Sequence, residues 1–496
     1  MRNPAFRLIH LLLTAVMAGA SAGCAMNPVS GTPDLVFMSE SSEVNIGSTN
    51  DAKIREKYGV YDNPELQAYV QQIGQKLAEQ SHRKNLGYHF TVLDSPEVNA
   101  FALPGGYIYI TRGIMAYINS EAELAAVLGH EIGHVTARHG VRQHSAATAT
   151  GMVGAIIGVA TGVRVSQDLF NVLGNAMLSG YGREHELESD RLGAEYMARA
   201  GYDPQAVIKV IGILKNQEEY EKKTAAAENR EARIYHGVFA SHPSADKRLQ
   251  EVVGEADRYK TLSAPYVGRE NYLKQIENLS FGTVKKAGVL VGNRYYLPES
   301  DLSFDFPKGW SVQPALTSLT TVSMASNDQQ ARLQLDIHDL DKDVTPDEFL
   351  KRHMQLNDLP KGESVKGLSQ PSFTTILPMA SGFSANETRV TVMHYNNKRL
   401  LLQGTAKTPG AFATADRVFL ALAGKLRPLK AEEKTAVERR GQGQRLRVIR
   451  AVSGDSFATL AKKSTLEKYS EETLRLINDK FPDGEPQAGE SIKIIE

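Results

Sequence analysis

The sequence predicts a multidomain α+β chain, and three observations carry that prediction. Its 496 residues exceed what one hydrophobic core ordinarily holds. Apolar residues recur at helical spacing through the first half, broken only by two short alternating runs. Around Lys286 the texture turns to alternating, strand-like segments, and a short third pattern closes the chain.

The first element is a leader. Arg2 and Arg7 precede the apolar run LIHLLLTAVMAGA and then SAGC: a basic start, a short apolar core and a small-residue processing site. Residues 1–23 are therefore expected to be a signal peptide and the chain to be exported. The segment resembles a bacterial lipoprotein signal, in which Cys24 is the acylated first residue and anchors the protein to a membrane; Ser21 departs from the Leu usual at that place. Ala25 rather than Asp after the cysteine implies, by the same resemblance, the periplasmic side of an outer membrane. Cys24 is the only cysteine, which excludes a disulfide framework or a thiolate metal cluster built from this chain alone. Lys plus Arg number 57, as do Asp plus Glu, so no basic field points to nucleic acid. No later segment has the roughly 20 unbroken apolar residues of a spanning helix. The nearest, GMVGAIIGVATGV at 151–163, is glycine-broken and reads as a buried helix or a flap beside an active site.

A domain over 24–270 follows. Helical spacing places Leu66, Val70, Ile73 and Leu77 on one face, and YHFTVLDS and GYIYITRG alternate as short strands. Next comes AELAAVLGHEIGHVTARHG, from Ala122 to Gly140. Ser120 and Glu123 make a capping box at the start of that helix, and Gly140 is expected to supply its stop. His130 and His134, four apart, share a face and reach one ion, while Glu131 points toward a water bound there. One zinc ion per chain is the expected cofactor. His139 comes five residues after His134, not the six of the longer zinc motif, and is expected to meet the dipole at the helix C-terminus.

A catalytic zinc needs one more protein ligand and one open position. The helix YGREHELESDRLGAEYMARAG, ending at Gly201, offers Glu186 and Asp190 on one face: one carboxylate binds the metal and the other holds an imidazole. Gly193, one turn on, favours close helix packing. His185 and Glu188 lie elsewhere on the helix and are expected to face solvent. Upstream, NAFALPGG supplies Asn99, Ala100 and Phe101 to an edge strand suited to an extended peptide, with Pro104, Gly105 and Gly106 allowing a sharp turn.

NAFALPGGYIYITRG, HEIGHVTARH, EHELESDRLG and SHPSADKRL, in this order and spacing, resemble the zinc metallopeptidases of family forty-eight, a group that includes CAAX prenyl proteases and periplasmic beta-barrel assembly-enhancing proteases. The match covers roughly 35–270. It implies a mainly helical zincin-type peptidase domain with a small sheet, Glu186 as third ligand, Asp190 as its supporting partner and Glu131 as the base. His242 would face the metal, either stabilising an oxyanion or occupying the open position. Gly182 stands where the family often has Ser. The implied activity is a zinc metalloendopeptidase acting on misfolded or unassembled polypeptides of the cell envelope. A peptidoglycan-binding scaffold or chaperone, and a cell-wall peptide hydrolase, are the alternatives.

From 286 to 426 an α+β domain is expected. TRVTVMHYNNKRLLLQGTA reads as two strands around an Asn396-Asn397 turn, and VTPDEFLKRHM as a helix with Thr345 as cap, Pro346 in its first turn and Glu348 completing a capping box. SFDFPKGW before a sheet resembles the small domains similar to the photosystem PsbP protein. The charged stretch 427–444 reads as a linker. In 445–496, VIRAVSGDSFATLAKK, EETLRLIND and AGESIKII resemble the strand, helix, helix, strand order of a lysin-motif module, with Gly454-Asp455 at the first turn and Asn478 closing the second helix. Ile477 interrupts the usual Leu-Asn pair. Such a module implies binding of peptidoglycan or, with its glycan groove lost, docking within the chain or on a partner.

Overall fold

The computed structural model describes residues 24–36, 38–143, 145, 182–228, 265–282, 288–312, 321–378, 387–440, 443–466 and 468–496. The expected signal peptide, the 151–163 segment and His242 lie outside the described residues. The chain forms two compact units. The first combines residues up to 53 with 60–281 and 444–496; the second joins 54–59 to 282–443. No helix among the described residues is long and apolar enough to cross a membrane.

In the first unit, β1 (Cys24–Met26) pairs antiparallel with β2 (Pro33–Leu35), ahead of helix α1 (Glu40–Tyr58), whose residues up to 53 belong to this unit. Helix α2 (Pro64–Ala78) starts where the Asn63 side chain accepts from the Leu66 amide and Pro64 fills the first turn; its Leu66, Val70, Ile73 and Leu77 face is buried. Strands β3 (His89–Leu93), β4 (Ala100–Leu103) and β5 (Tyr107–Thr111) make a sheet in the order β3-β5-β4, with β3 parallel and β4 antiparallel to β5. β4 is therefore an edge. The turn into β5 needs its glycines, because Gly105 and Gly106 sit at φ 82° and 91°, and a Cβ on Gly105 would lie 2.7 Å from the Val44 Cα.

Helices α3 (Arg112–Tyr117) and α4 (Glu121–Thr136) follow, and α4 is buried on every side. The Ser120 hydroxyl accepts from the Glu123 amide as expected, but the Glu123 carboxylate reaches back to the Asn119 amide at 2.5 Å, one residue beyond the cap. The helix stops earlier than its glycine suggested. Arg138, at φ 55°, takes the left-handed turn, while Gly140 already belongs to the helical segment 139–143. Arg138 holds that conformation because its Nε donates to the buried Glu43 carboxylate at 2.5 Å and its Nη2 to the Met38 carbonyl at 2.6 Å. Helices α5 (Arg183–Arg199), α6 (Ala206–Ala227) and α7 (Arg269–Gln275) complete this part.

The second unit has two antiparallel sheets. Strands β6 (Val289–Val291), β7 (Arg294–Leu297) and β8 (Leu302–Asp305) form one. β9 (Trp310–Val312), β10 (Thr321–Ser326), β11 (Ala331–Asp339), β12 (Ser372–Leu377), β13 (Thr388–Tyr395) and β14 (Lys398–Ala406) form the other, in the order β12-β13-β14-β11-β10-β9. The β13-β14 turn is the expected Asn396-Asn397, with Asn396 at φ 50°. Helix α8 (Pro346–His353) carries the full Thr345–Glu348 capping box. Helix α9 (Pro409–Ala423) lays Phe412, Ala415, Phe419 and Leu422 on a core shared with Leu333, Leu400 and Leu402. The stretch read as a linker contains helix α10 (Ala431–Arg440). Two contacts override its weak apolar face: Val437 is buried with Tyr296 and Leu429, and Glu433 takes the Arg427 guanidinium at 2.6 Å and Arg294 at 3.2 Å.

The last segment supplies β15 (Leu446–Arg450), α11 (Phe457–Ala461), α12 (Ser470–Ile477) and β16 (Ser491–Ile495), with β15 and β16 antiparallel. Among the described residues it has no core of its own. Phe457, Leu474, Ile477 and Ile492 belong to the same hydrophobic cluster as Leu128, Tyr272 and Ile276. Backbone bonds bind it further: Phe281 donates to the Gln444 carbonyl at 2.7 Å and Asn278 to that of Leu446 at 2.9 Å. The Lys493 amine, wholly buried, donates to the Ala116 and Ile118 carbonyls just before α4, at 2.7 and 2.8 Å.

Candidate metal centre

Two helices position the site, and glycine lets them touch. A Cβ on Gly133 of α4 would lie 2.9 Å from the Ser189 Cα of α5, and one on Gly193 would lie 3.0 Å from the His130 amide nitrogen. Any side chain at these positions forces the helices apart. Their approach brings His130 and His134 of α4 against Glu186 of α5: the three offer ligand atoms all within 4.8 Å of one another, and all three residues are buried. His130 Nε2 is 3.0 Å from His134 Nε2 and 3.5 Å from Glu186 Oε2, and His134 Nε2 is 3.4 Å from Glu186 Oε1.

Both imidazoles thus present Nε2 to one point. The reason lies on their other nitrogens. His130 Nδ1 is 2.7 Å from Asp190 Oδ1, a contact that fixes the orientation of the ring. Burial works against charge on His130, but the carboxylates of Asp190 and Glu186 outweigh it and raise its pKa to about 10. His134 moves the other way, held well below the ordinary histidine value first by burial and then by its imidazole neighbours. Two imidazoles and a carboxylate meeting in a buried place suit zinc, which takes nitrogen and oxygen donors in this combination.

Glu131, also buried, lines an open cleft with His130, Asp190, Ala100, Ile114 and Val127. Ala100 places the edge strand β4 at this cleft. Asn99 and Phe101 flank it in sequence, Phe101 stacking on Tyr109 at 5.0 Å. The Pro104–Gly106 turn lies at the far end of β4, and Pro104 lines a separate small cavity with His134 and Val135. These turn residues shape the strand and stand away from the cleft containing Glu131.

Three residues behave differently from their sequence reading. His139, expected in the last turn against the helix C-terminal dipole, lies beyond the end of α4 at Thr136 and is buried, with Nδ1 2.8 Å from His134 Nδ1. Glu188 and His185 were expected to face solvent. Glu188 instead accepts from His139 Nε2 at 3.0 Å, and His185 stacks on the His139 ring at 4.2 Å. Burial lowers the His139 pKa, and burial beside His139 lowers that of His185 to about 4. No local pattern marks this cluster, since the turn that delivers His139 depends on Glu43, 95 residues before Arg138.

Residues 64–256 match Peptidase family M48. The beta-barrel assembly-enhancing protease of Yersinia pestis is 27% identical over 281 residues, covering 54% of this chain and 55% of that protein. The mitochondrial metalloendopeptidase OMA1 of Schizosaccharomyces pombe is 30% identical over 186 residues, covering 37% of this chain and 51% of its own. The chain spans about half the length of these curated relatives. Among solved structures, the cyanobacterial PsbP of Synechocystis covers 28% of this chain and 95% of its own at 15% identity, with a TM-score of 0.21.

Proposed function

On the match of residues 64–256 to Peptidase family M48, we propose that this protein is an exported zinc metalloendopeptidase that hydrolyses misfolded or unassembled polypeptides of the cell envelope, held to the membrane through a lipid on Cys24. The observation that carries the activity is the buried convergence of His130, His134 and Glu186 beside Glu131. The envelope substrates rest on likeness to beta-barrel assembly-enhancing proteases, and the anchor rests on the SAGC leader.

Bound zinc supplies a Lewis acid for the scissile carbonyl and lowers the pKa of a water toward ~7. The protein's own groups do the rest. Asp190 fixes the His130 ring through Nδ1 and leaves Nε2 as the donor atom. Glu131 takes the proton of the attacking water on its carboxylate and passes it to the leaving amine. The outer edge of β4, from Ala100 and Phe101 onward, offers main-chain groups to an extended peptide, which favours polypeptide over compact substrates, while Asn99, its main chain bonded to Thr111, fixes the start of that edge. His242 keeps the two roles the family resemblance gives it, oxyanion support or the open metal position. For 445–496 the strand, helix, helix, strand order supports a lysin-like framework, whereas the core it shares with the peptidase and the buried Lys493 support docking within the chain over glycan binding.

Glu131→Gln tests the mechanism, because it preserves size and metal donors and removes the base. Zinc content should stay at one per chain while casein cleavage falls by orders of magnitude, and a chelator should abolish wild-type cleavage reversibly. Undiminished turnover in the variant rejects the assignment.

A further inference from the structure

We infer that His139 is a positioning residue for the metal centre: it fixes the tautomer and ring orientation of His134, and is itself fixed by Glu188. The inference rests on the zinc reading above and extends it to a residue outside the HEIGH motif and the Glu186–Asp190 pair.

The geometry leaves little choice. His134 Nδ1 lies 2.8 Å from His139 Nδ1, so one of these nitrogens carries the proton and the other accepts it. At the far side of the His139 ring, Nε2 is 3.0 Å from Glu188 Oε2. An ionised carboxylate only accepts, so His139 must carry its proton on Nε2. Its Nδ1 is then a lone pair, which the Ser189 hydroxyl also approaches at 3.3 Å. His134 must in turn carry its proton on Nδ1, leaving the Nε2 lone pair aimed at His130 and Glu186. The opposite tautomers would set a His139 lone pair against the Glu188 carboxylate and put a hydrogen where the metal binds.

The arrangement mirrors the other side of the site. His130 is held by a carboxylate directly, through Asp190. His134 reaches its carboxylate through one intervening ring. Arg142 lies 3.5 Å from Glu188, and His185 covers the His139 face, so the far end of the chain is itself anchored. His134 follows His130 by four positions on α4, and a continuous helix would swing His139 away from both. The left-handed turn at Arg138 is what returns it.

Zinc affinity of the full chain, measured by competition with a chromophoric chelator, tests the inference independently of turnover. His139→Leu preserves bulk and apolar packing but offers no acceptor; His139→Asn places an amide oxygen near the old Nδ1. The expected result is a zinc affinity about 10- to 100-fold lower in the Leu variant, with Asn recovering most of that loss and thermal melting similar in both. Wild-type affinity in the Leu variant, or equal losses in Leu and Asn, overturns the inference. Should His139→Leu fail to fold, Glu188→Leu decides it: removal of the carboxylate frees the His139 tautomer and should weaken zinc severalfold, and unchanged affinity there overturns it. Failure of the zinc reading itself looks different, since wild type would then bind no stoichiometric zinc.

Discussion

Residues 288–440 and 444–496 both look, along the chain, like modules appended to a peptidase, yet they are stabilised in different ways. The first buries Leu333, Leu400, Leu402 and Phe419 in a cluster of its own. The second sends Phe457, Leu474 and Ile492 into the cluster that also contains Leu128 of α4. A span of about fifty residues is short for an independent core, and this one shares its burial with the helix that carries His130 and His134. Sequence order is therefore a poor guide to the folding unit: the peptidase unit is interrupted at 282 and resumes at 444.

A matched pair of core truncations breaks or sharpens the contrast most strongly. Ile492→Ala should cost roughly 2–5 kcal/mol of peptidase stability and should release zinc at a lower temperature. Leu402→Ala, of similar chemistry in the other cluster, should leave the zinc-release temperature unchanged. Calorimetry with a zinc indicator reads both. Equal effects of the two variants on zinc release would show that the units do not unfold separately.

A smaller effect is expected at Lys493. Burial holds its amine well below the ordinary lysine range, with the buried Glu123 carboxylate opposing that shift, and a neutral amine still has two protons for the Ala116 and Ile118 carbonyls. The folded pKa therefore lies below the unfolded one. Between the two values the unfolded chain binds a proton that the folded chain does not, so stability rises with pH through that window and is lowest below it. Wild-type melting should gain temperature as pH is raised from neutral toward 10, and Lys493→Met should flatten that gain. Parallel curves for the two proteins would place the titration elsewhere.

What was legible follows the range of the interactions. The His130–His134 pair, the Ser120 cap, the Thr345–Glu348 box and the Asn396 turn all depend on residues within a few positions of each other, and their patterns survive in the bare sequence. The stop of α4 did not, because Arg138 is pinned by Glu43 and Met38 rather than by glycine. His139 was placed at a helix end for the same reason. Helix α10 was hidden because its stabilising partners, Arg294 and Tyr296, lie far upstream. Lys493 carries no local mark of its burial, because the carbonyls it meets, Ala116 and Ile118, lie 377 and 375 positions upstream.

The smallest expected effect is the sharpest test of the interruption. Phe281 donates to the Gln444 carbonyl, Leu446 donates to Leu279, and Ser280 lies opposite Arg445, so the two ends of the peptidase unit already run as an antiparallel pair. Phe281 stands opposite Gln444 in this register, the separation that a two-residue hairpin loop closes, and Asn-Gly is the pair suited to it. Replacing 282–443 by Asn-Gly removes the second unit's own cluster and leaves every residue of the peptidase cluster in place. The excised protein should fold, hold one zinc per chain and digest casein within about twofold of wild type, because surface changes away from a core shift stability by roughly 0.5 kcal/mol or less. Loss of zinc or of a cooperative melt in the excised protein would mean that 282–443 supports the metal site, and the two regions would then differ in connectivity but not in energetic independence.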